Sequence, residues 1–140
     1  MSKQNPQLAD DVNLDTLPYP VWGMPKIDGV RGLNPVGTFC GRSLDEFKGF
    51  GVTPMFSGDL TKGFEGEVTD GADPTAEGLC AASTSAIGSF KDVTEAPDLH
   101  WWLFDYSGPA QANLVYADRY KALEAFLSTA DMGEMRERLH

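Results

Sequence analysis

Long apolar runs are missing from this 140-residue chain. No stretch approaches the ~20 consecutive apolar residues that a membrane span needs. The opening MSKQNPQLADD lacks the apolar centre of a secretory signal. No membrane partner is expected, and the reading is a soluble, cytoplasmic chain. Cysteine is scarce: Cys40 and Cys80 stand alone, and no CxxC occurs. This excludes a disulfide framework and leaves the expectation of two reduced, buried thiols. His100 and His140 are the only histidines, too few and too scattered for a zinc cluster. Positive charge is also thin. The formal net charge is −10, and Asp59 to Asp105 holds ten acidic residues against Lys62 and Lys91. That stretch cannot hold a nucleic-acid backbone by charge alone. Its acidity implies solubility and self-repulsion instead. Internal repeats and low-complexity tracts are absent.

The length suits one domain or a large piece of one. Hydrophobic residues make up 41%, enough for a core. Residues 1–14 form a polar N-terminal segment. YPVWGMPKID is strand-like, with Val21 and Trp22 before a Gly and a Pro. GVRGL and TFCGR read as short strands joined by an NPVG turn. In RSLDEF, Ser43 with Glu46 three residues on forms a capping box and predicts a short helix. The glycine-rich stretch 48–63, with Pro54, predicts loop with one short strand at most. FEGEV reads as a strand. Asp73 as N-cap with Pro74 after it predicts a helix through DPTAEGLCAASTSAIG. DLHWWLFDY is strand by composition. Tyr116, Tyr120, Leu123, Phe126 and Leu127 fall at helical spacing, with the aromatic face in the core. Asp131 with Glu134 predicts a second short helix. Mixed short strands and helices give an α+β class rather than a regular βαβ series.

The chemistry concentrates in PKIDGVRG, residues 25–32. A lysine amine is protonated in neutral water and then cannot attack. Neighbouring cations, a metal or burial expose its lone pair to a phosphorus or carbonyl. Asp28 shares a strand face with Lys26. Gly29 permits a turn or a close backbone approach to a ligand. Arg31 adds a guanidinium fork suited to phosphate or ribose oxygens. On these residues alone, an exposed charged hairpin accounts for them equally well.

Residues further along the chain change that balance. Lys26, Asp28, Gly29 and Arg31 meet a K-x-D-G-x-R pattern. Arg42-Ser43 comes next, then FEGEV with Glu65 and Glu67, then WWLFDY with Phe104, Asp105 and Tyr106. Over about residues 7–139 the chain resembles the ATP-dependent DNA ligases, in particular the small bacteriophage and viral type, within the covalent nucleotidyltransferases. Two positions depart from the pattern: Arg-Ser often runs Ser-Arg, and Glu65 stands where Asp is usual. The resemblance implies an ATP-grasp-like adenylation fold with an antiparallel sheet and flanking helices. It implies ATP and Mg2+ as cofactors and nicked duplex DNA as partner, in replication, repair and recombination. It also implies host cytoplasm if the chain is phage-encoded.

By the same resemblance, Lys26 forms the lysyl-AMP and Asp28 sits near the metal and the nick's 3′-hydroxyl. Arg31 and Arg42 contact ribose or the 5′-phosphate. Glu67 accepts from a ribose hydroxyl and is a weak candidate for the metal. Phe104 stacks on adenine. Each has a plainer reading: Glu67 as an outward strand carboxylate, Phe104 as core. Trp101 and Trp102 read as packing, His100 has no assigned chemistry, and Asp105 reads as a structural partner of Arg119.

Two later motifs of that family, Glu-Gly with a downstream base and Lys-x-Lys, do not occur. After Asp105 the basic residues are Arg119, Lys121, Arg136 and Arg138. Residues 15–140 therefore read as the N-terminal portion of the adenylation domain, lacking the following β-barrel domain as well. Such a piece is expected to expose an unpaired strand edge and apolar surface. It is also expected not to seal nicks alone, but to work with a complementary C-terminal ligase chain. Two alternatives stay open: a non-catalytic ligase remnant that binds nucleotide or a partner chain, and an RNA-ligase or capping-type nucleotidyltransferase.

Overall fold

The computed structural model describes residues 10–89 and 94–140. Three strands form one antiparallel sheet in the order β1 (Val30–Leu33), β2 (Phe64–Asp70), β3 (Leu99–Tyr106). Among the described residues, three helices accompany it: α1 (Val52–Phe56), α2 (Leu79–Gly88) and α3 (Tyr116–Thr129). Short 3-10 turns span Leu14–Thr16 and Gly133–Arg138. The expected α+β class, antiparallel sheet and flanking helices are all present.

The sheet is two-faced because β3 alternates. Leu99, Trp101 and Leu103 are buried, while His100, Trp102 and Phe104 are half-buried on the other side. Trp101 is the centre of the core. Its ring meets Phe39 at 4.8 Å and Phe56 at 5.3 Å between centroids, and Ile87 of α2 and Leu123 of α3 close the same cluster. The helices thus cover one face and leave the other to Arg31, Glu67, Trp102 and Phe104. Trp102 donates to Thr69 Oγ1 at 2.9 Å and stacks on His140. Asp105 takes both nitrogens of the Arg119 fork, at 2.7 and 2.9 Å, as expected of a structural pair.

Several local expectations give way to tertiary packing. YPVWGMPKID forms no strand, since Pro20 and Pro25 cannot donate to a ladder; Trp22 faces Tyr120 of α3 instead, 6.1 Å between rings. TFCGR shrinks to isolated bridges at Cys40, the one with Leu33 closed by backbone bonds of 2.9 and 2.8 Å. RSLDEF is not a helix. Cys40 also bridges Glu46, the Gly41 N–H donates to the Asp45 carbonyl, and Leu44 takes a left-handed φ of 64°. Seating Phe39 and Phe47 against one another, 5.1 Å apart, closes this loop and overrides the capping box. Stretch 48–63 carries α1, with Val52 and Phe56 buried one turn apart and Pro54 in its first turn, where no N–H is missed.

The start of α2 also moves. Asp73 caps only an Asx turn, accepting from Thr75 N and Oγ1, and Gly78 at φ 68° delays the helix to Leu79. Asp131 accepts from Gly133 N rather than pairing with Glu134, so the last segment is a 3-10 turn. On α3, Leu123 is the buried residue; Tyr116, Tyr120, Phe126 and Leu127 are half-buried. The expected bare edge of the sheet is partly paired. Residues 139–140 run parallel to β3, with His140 N donating to Trp101 O and Leu103 N to His140 O. Of the two thiols, Cys40 is buried as expected but Cys80 is exposed, because the small-residue face of α2 lies outward. Among the described residues, no helix is long and apolar enough to cross a membrane.

Candidate active site

Strand register assembles the site. Arg31 pairs with Glu67, and Glu67 with Trp102, which makes one row across the sheet on the helix-free face. A bulge between Glu65 and Gly66 sets Glu65 opposite Asp105 and Gly66 opposite Leu103, leaving Phe104 between the two rungs. Phe104 belongs to the site face rather than the core. The Arg31 guanidinium lies over its ring, 4.6 Å from the centroid. Arg31 Nε donates to Glu65 Oε1 at 2.8 Å, and Nη2 donates to the same oxygen. The Glu65 side chain is 8% exposed. In the sequence, Glu65 stands out only as an irregular residue; its spacing of two from Glu67, which puts both carboxylates on one strand face, is the signal that could have found it.

Lys26 and Asp28 occupy the loop before β1, not a strand. Lys26 Nζ meets Asp28 Oδ1 at 3.3 Å, and the lysine side chain is 86% exposed. Gly29 fixes where this loop lies. A Cβ there would stand 2.3 Å from the Val68 carbonyl oxygen, so any side chain would push the loop off β2. The Gly29 backbone amide favours the ionised form of Glu67, which couples the lysine loop electrostatically to the carboxylate.

Glu67 is the electrostatic hinge of the site. Burial raises its carboxyl above the usual glutamate range. The positive charges of Arg31 and Lys26 and the Gly29 N–H oppose that rise, and Asp28 adds to it. The folded chain thus holds this proton more tightly than the unfolded chain. Its contribution to stability is full below the ordinary glutamate value and is lost as pH rises through the raised folded value. Glu67→Gln keeps an acceptor for Gly29 and removes the cost of ionisation. We expect it to raise Tm relative to wild type at about pH 7, and the gain to vanish by about pH 3. Melting curves across that range check this; a Tm difference independent of pH would contradict it.

Two recesses adjoin across Gly29. The larger, about 660 Å³, is lined by Arg31, Glu67, Arg42, Ser43, Phe47 and neighbouring backbone. The smaller, about 380 Å³, lies at the start of α2 and is lined by Lys26, Asp28, Thr75 and Cys80 among others. The fold therefore brings Arg31, Arg42 and Glu67 together, sets Phe104 beside them under Arg31, and puts Lys26 and Asp28 in the next recess. Both recesses are open, and the site is wide enough for a ligand the size of a nucleotide. Among the described residues, no group of three or more His, Cys, Asp or Glu converges as a metal site.

No protein-family model matches the sequence, and no curated protein does. The structure is similar to the crystal structure of Chlorella virus DNA ligase-adenylate, with a TM-score of 0.63 and 19% sequence identity. The match covers 94% of this chain and 45% of that one, so the chain spans less than half the length of the ligase it resembles. At that identity the likeness is one of fold: the antiparallel sheet with its flanking helices is an architecture shared with that ligase.

Proposed function

We propose that residues 15–140 are the N-terminal portion of the adenylation domain of an ATP-dependent DNA ligase. The observation that carries this is the site face itself. The fold resembles a ligase-adenylate, and its one helix-free sheet face gathers Arg31, Glu67 and Phe104 beside the Lys26–Gly29 loop. In this reading Lys26 Nζ, once deprotonated, attacks the α-phosphorus of ATP. The N–P bond forms as the bond to pyrophosphate breaks, and the product is a lysyl-AMP. Glu67 accepts from a ribose hydroxyl, Phe104 offers its ring to adenine, and Arg31 and Arg42 take phosphate or ribose oxygens. Mg2+ would neutralise phosphate charge; it uses few protein ligands beside substrate oxygens, and Asp28 and Glu67 are the carboxylates at hand. The adenylate would then pass to the 5′-phosphate of nicked duplex DNA, and the 3′-hydroxyl would displace AMP.

The exposure of Lys26 favours a division of labour. In these residues its ammonium meets an anion and solvent, neither of which activates it. A complementary C-terminal ligase chain or segment would supply the cations and the facing wall. Binding, by contrast, needs only the residues already gathered. Calorimetric titration with ATP is expected to give binding that Arg42→Ala and Glu67→Ala each weaken about tenfold, the loss of one charge-assisted contact. Lys62→Ala, which lines neither recess, should leave binding unchanged. Binding insensitive to both site variants would overturn this reading.

A further inference from the structure

The geometry around Phe104 points to a device that none of the assigned roles contains. Arg31 does two things at once. Its guanidinium plane covers the Phe104 ring at 4.6 Å, and its Nε and Nη2 are both anchored on Glu65 Oε1. The Arg31 side chain is 26% exposed and that of Glu65 is 8% exposed, so cover and anchor are largely withdrawn from water. A guanidinium over an aromatic face is a stable pairing, more so when desolvated. The bulge beside Gly66 helps, because it sets Phe104 between two rungs of the ladder and lets Glu65 face Asp105.

We propose that Arg31 is a displaceable cover on the Phe104 ring, pinned by Glu65, which an incoming planar base must push aside. This rests on the reading of Phe104 as the base platform. A nucleobase can take the place of the guanidinium because it too offers a π face to the ring. The released fork then turns to phosphate or ribose oxygens, where bidentate donation suits it. Base and phosphate are thereby coupled. A nucleoside has to displace the cover with no phosphate to reward the departing arginine, while a nucleotide supplies both exchanges. The site would favour nucleotides over nucleosides by more than their phosphate contacts alone. The free protein would be closed to weak apolar ligands.

Adenosine isolates the base from the phosphate and is the probe. The double variant Arg31→Ala/Glu65→Gln uncovers the ring without stranding a buried carboxylate. NMR titration is expected to show adenosine binding tightened about tenfold in the double variant, the population penalty of the cover being removed. Glu65→Gln alone keeps the arginine and loosens its anchor; it should tighten binding by a smaller factor, and it serves if the double variant does not fold. Phe104→Leu on the uncovered background should abolish the gain. Unchanged or weaker adenosine binding in both uncovered variants would overturn the cover and make Arg31 part of the platform itself. Adenosine binding insensitive to Phe104→Leu would instead overturn the platform, and the inference with it.

Discussion

Gly66→Ala is expected to destabilise the chain by about 3 kcal/mol or more. Gly66 lies in the central strand, flanked by β1 and β3. A Cβ there would stand 2.2 Å from the Trp102 carbonyl oxygen, 2.8 Å from its carbon and 2.9 Å from the Leu103 Cα. All three are backbone atoms of a paired strand, so no side chain can rotate away to relieve the contact. β3 would have to move, and β3 carries Trp101, the centre of the core. The same shift would disturb Phe104 and the rung that pairs Glu67 with Trp102. Urea unfolding measures the loss directly. A midpoint within error of wild type would contradict both the bulge and the register on which the site depends. Gly29→Ala meets a similar backbone contact, but at a loop that can lift away, so its effect should fall on the site more than on the fold.

Gly66 also marks what a sequence can and cannot reveal. The alternation in LHWWLFDY was legible: Leu99, Trp101 and Leu103 are buried, and Phe104 emerges on the opposite face from Trp101. FEGEV as a strand and Asp105 with Arg119 as a pair were legible for similar reasons, being local pattern plus one obvious complement. Lys26, Asp28 and Arg31 could be singled out by spacing, but not their surroundings. The strand expected at Lys26 is a loop, because Pro25 precedes it and Gly29 must press against Val68. The Glu65 anchor of Arg31 needed a non-local register and a bulge, neither of which leaves a short-range signature. RSLDEF misled because a capping box is worth only about 1 kcal/mol, less than burying Phe39. Cys80 misled because cysteine is usually buried, while this one lies on the outer side of α2 next to the Lys26 loop.

In the reading proposed above, Lys26 is the residue through which this fold does chemistry. Three features argue for it together. The Gly29 contact holds its loop on β2, the Gly29 backbone amide favours the ionised form of Glu67, and the recess it lines adjoins the one lined by Arg31 and Arg42. Against speed stands its exposure: only the neutral amine attacks, and the ammonium here meets Asp28 and water. The expected result is therefore a slow reaction that quickens as a complementary chain is added, but that always ends on one residue. Substituting that residue removes the reaction altogether rather than slowing it, since no other lysine is among the residues lining the two recesses.

Intact-mass measurement of the 140-residue chain after prolonged incubation with ATP and Mg2+, with Lys26→Ala alongside, tests this most directly. A covalent AMP adduct is expected on the wild-type chain, and none on Lys26→Ala. An adduct that persists in Lys26→Ala, or a folded, ATP-binding wild-type chain that stays unmodified, would contradict it.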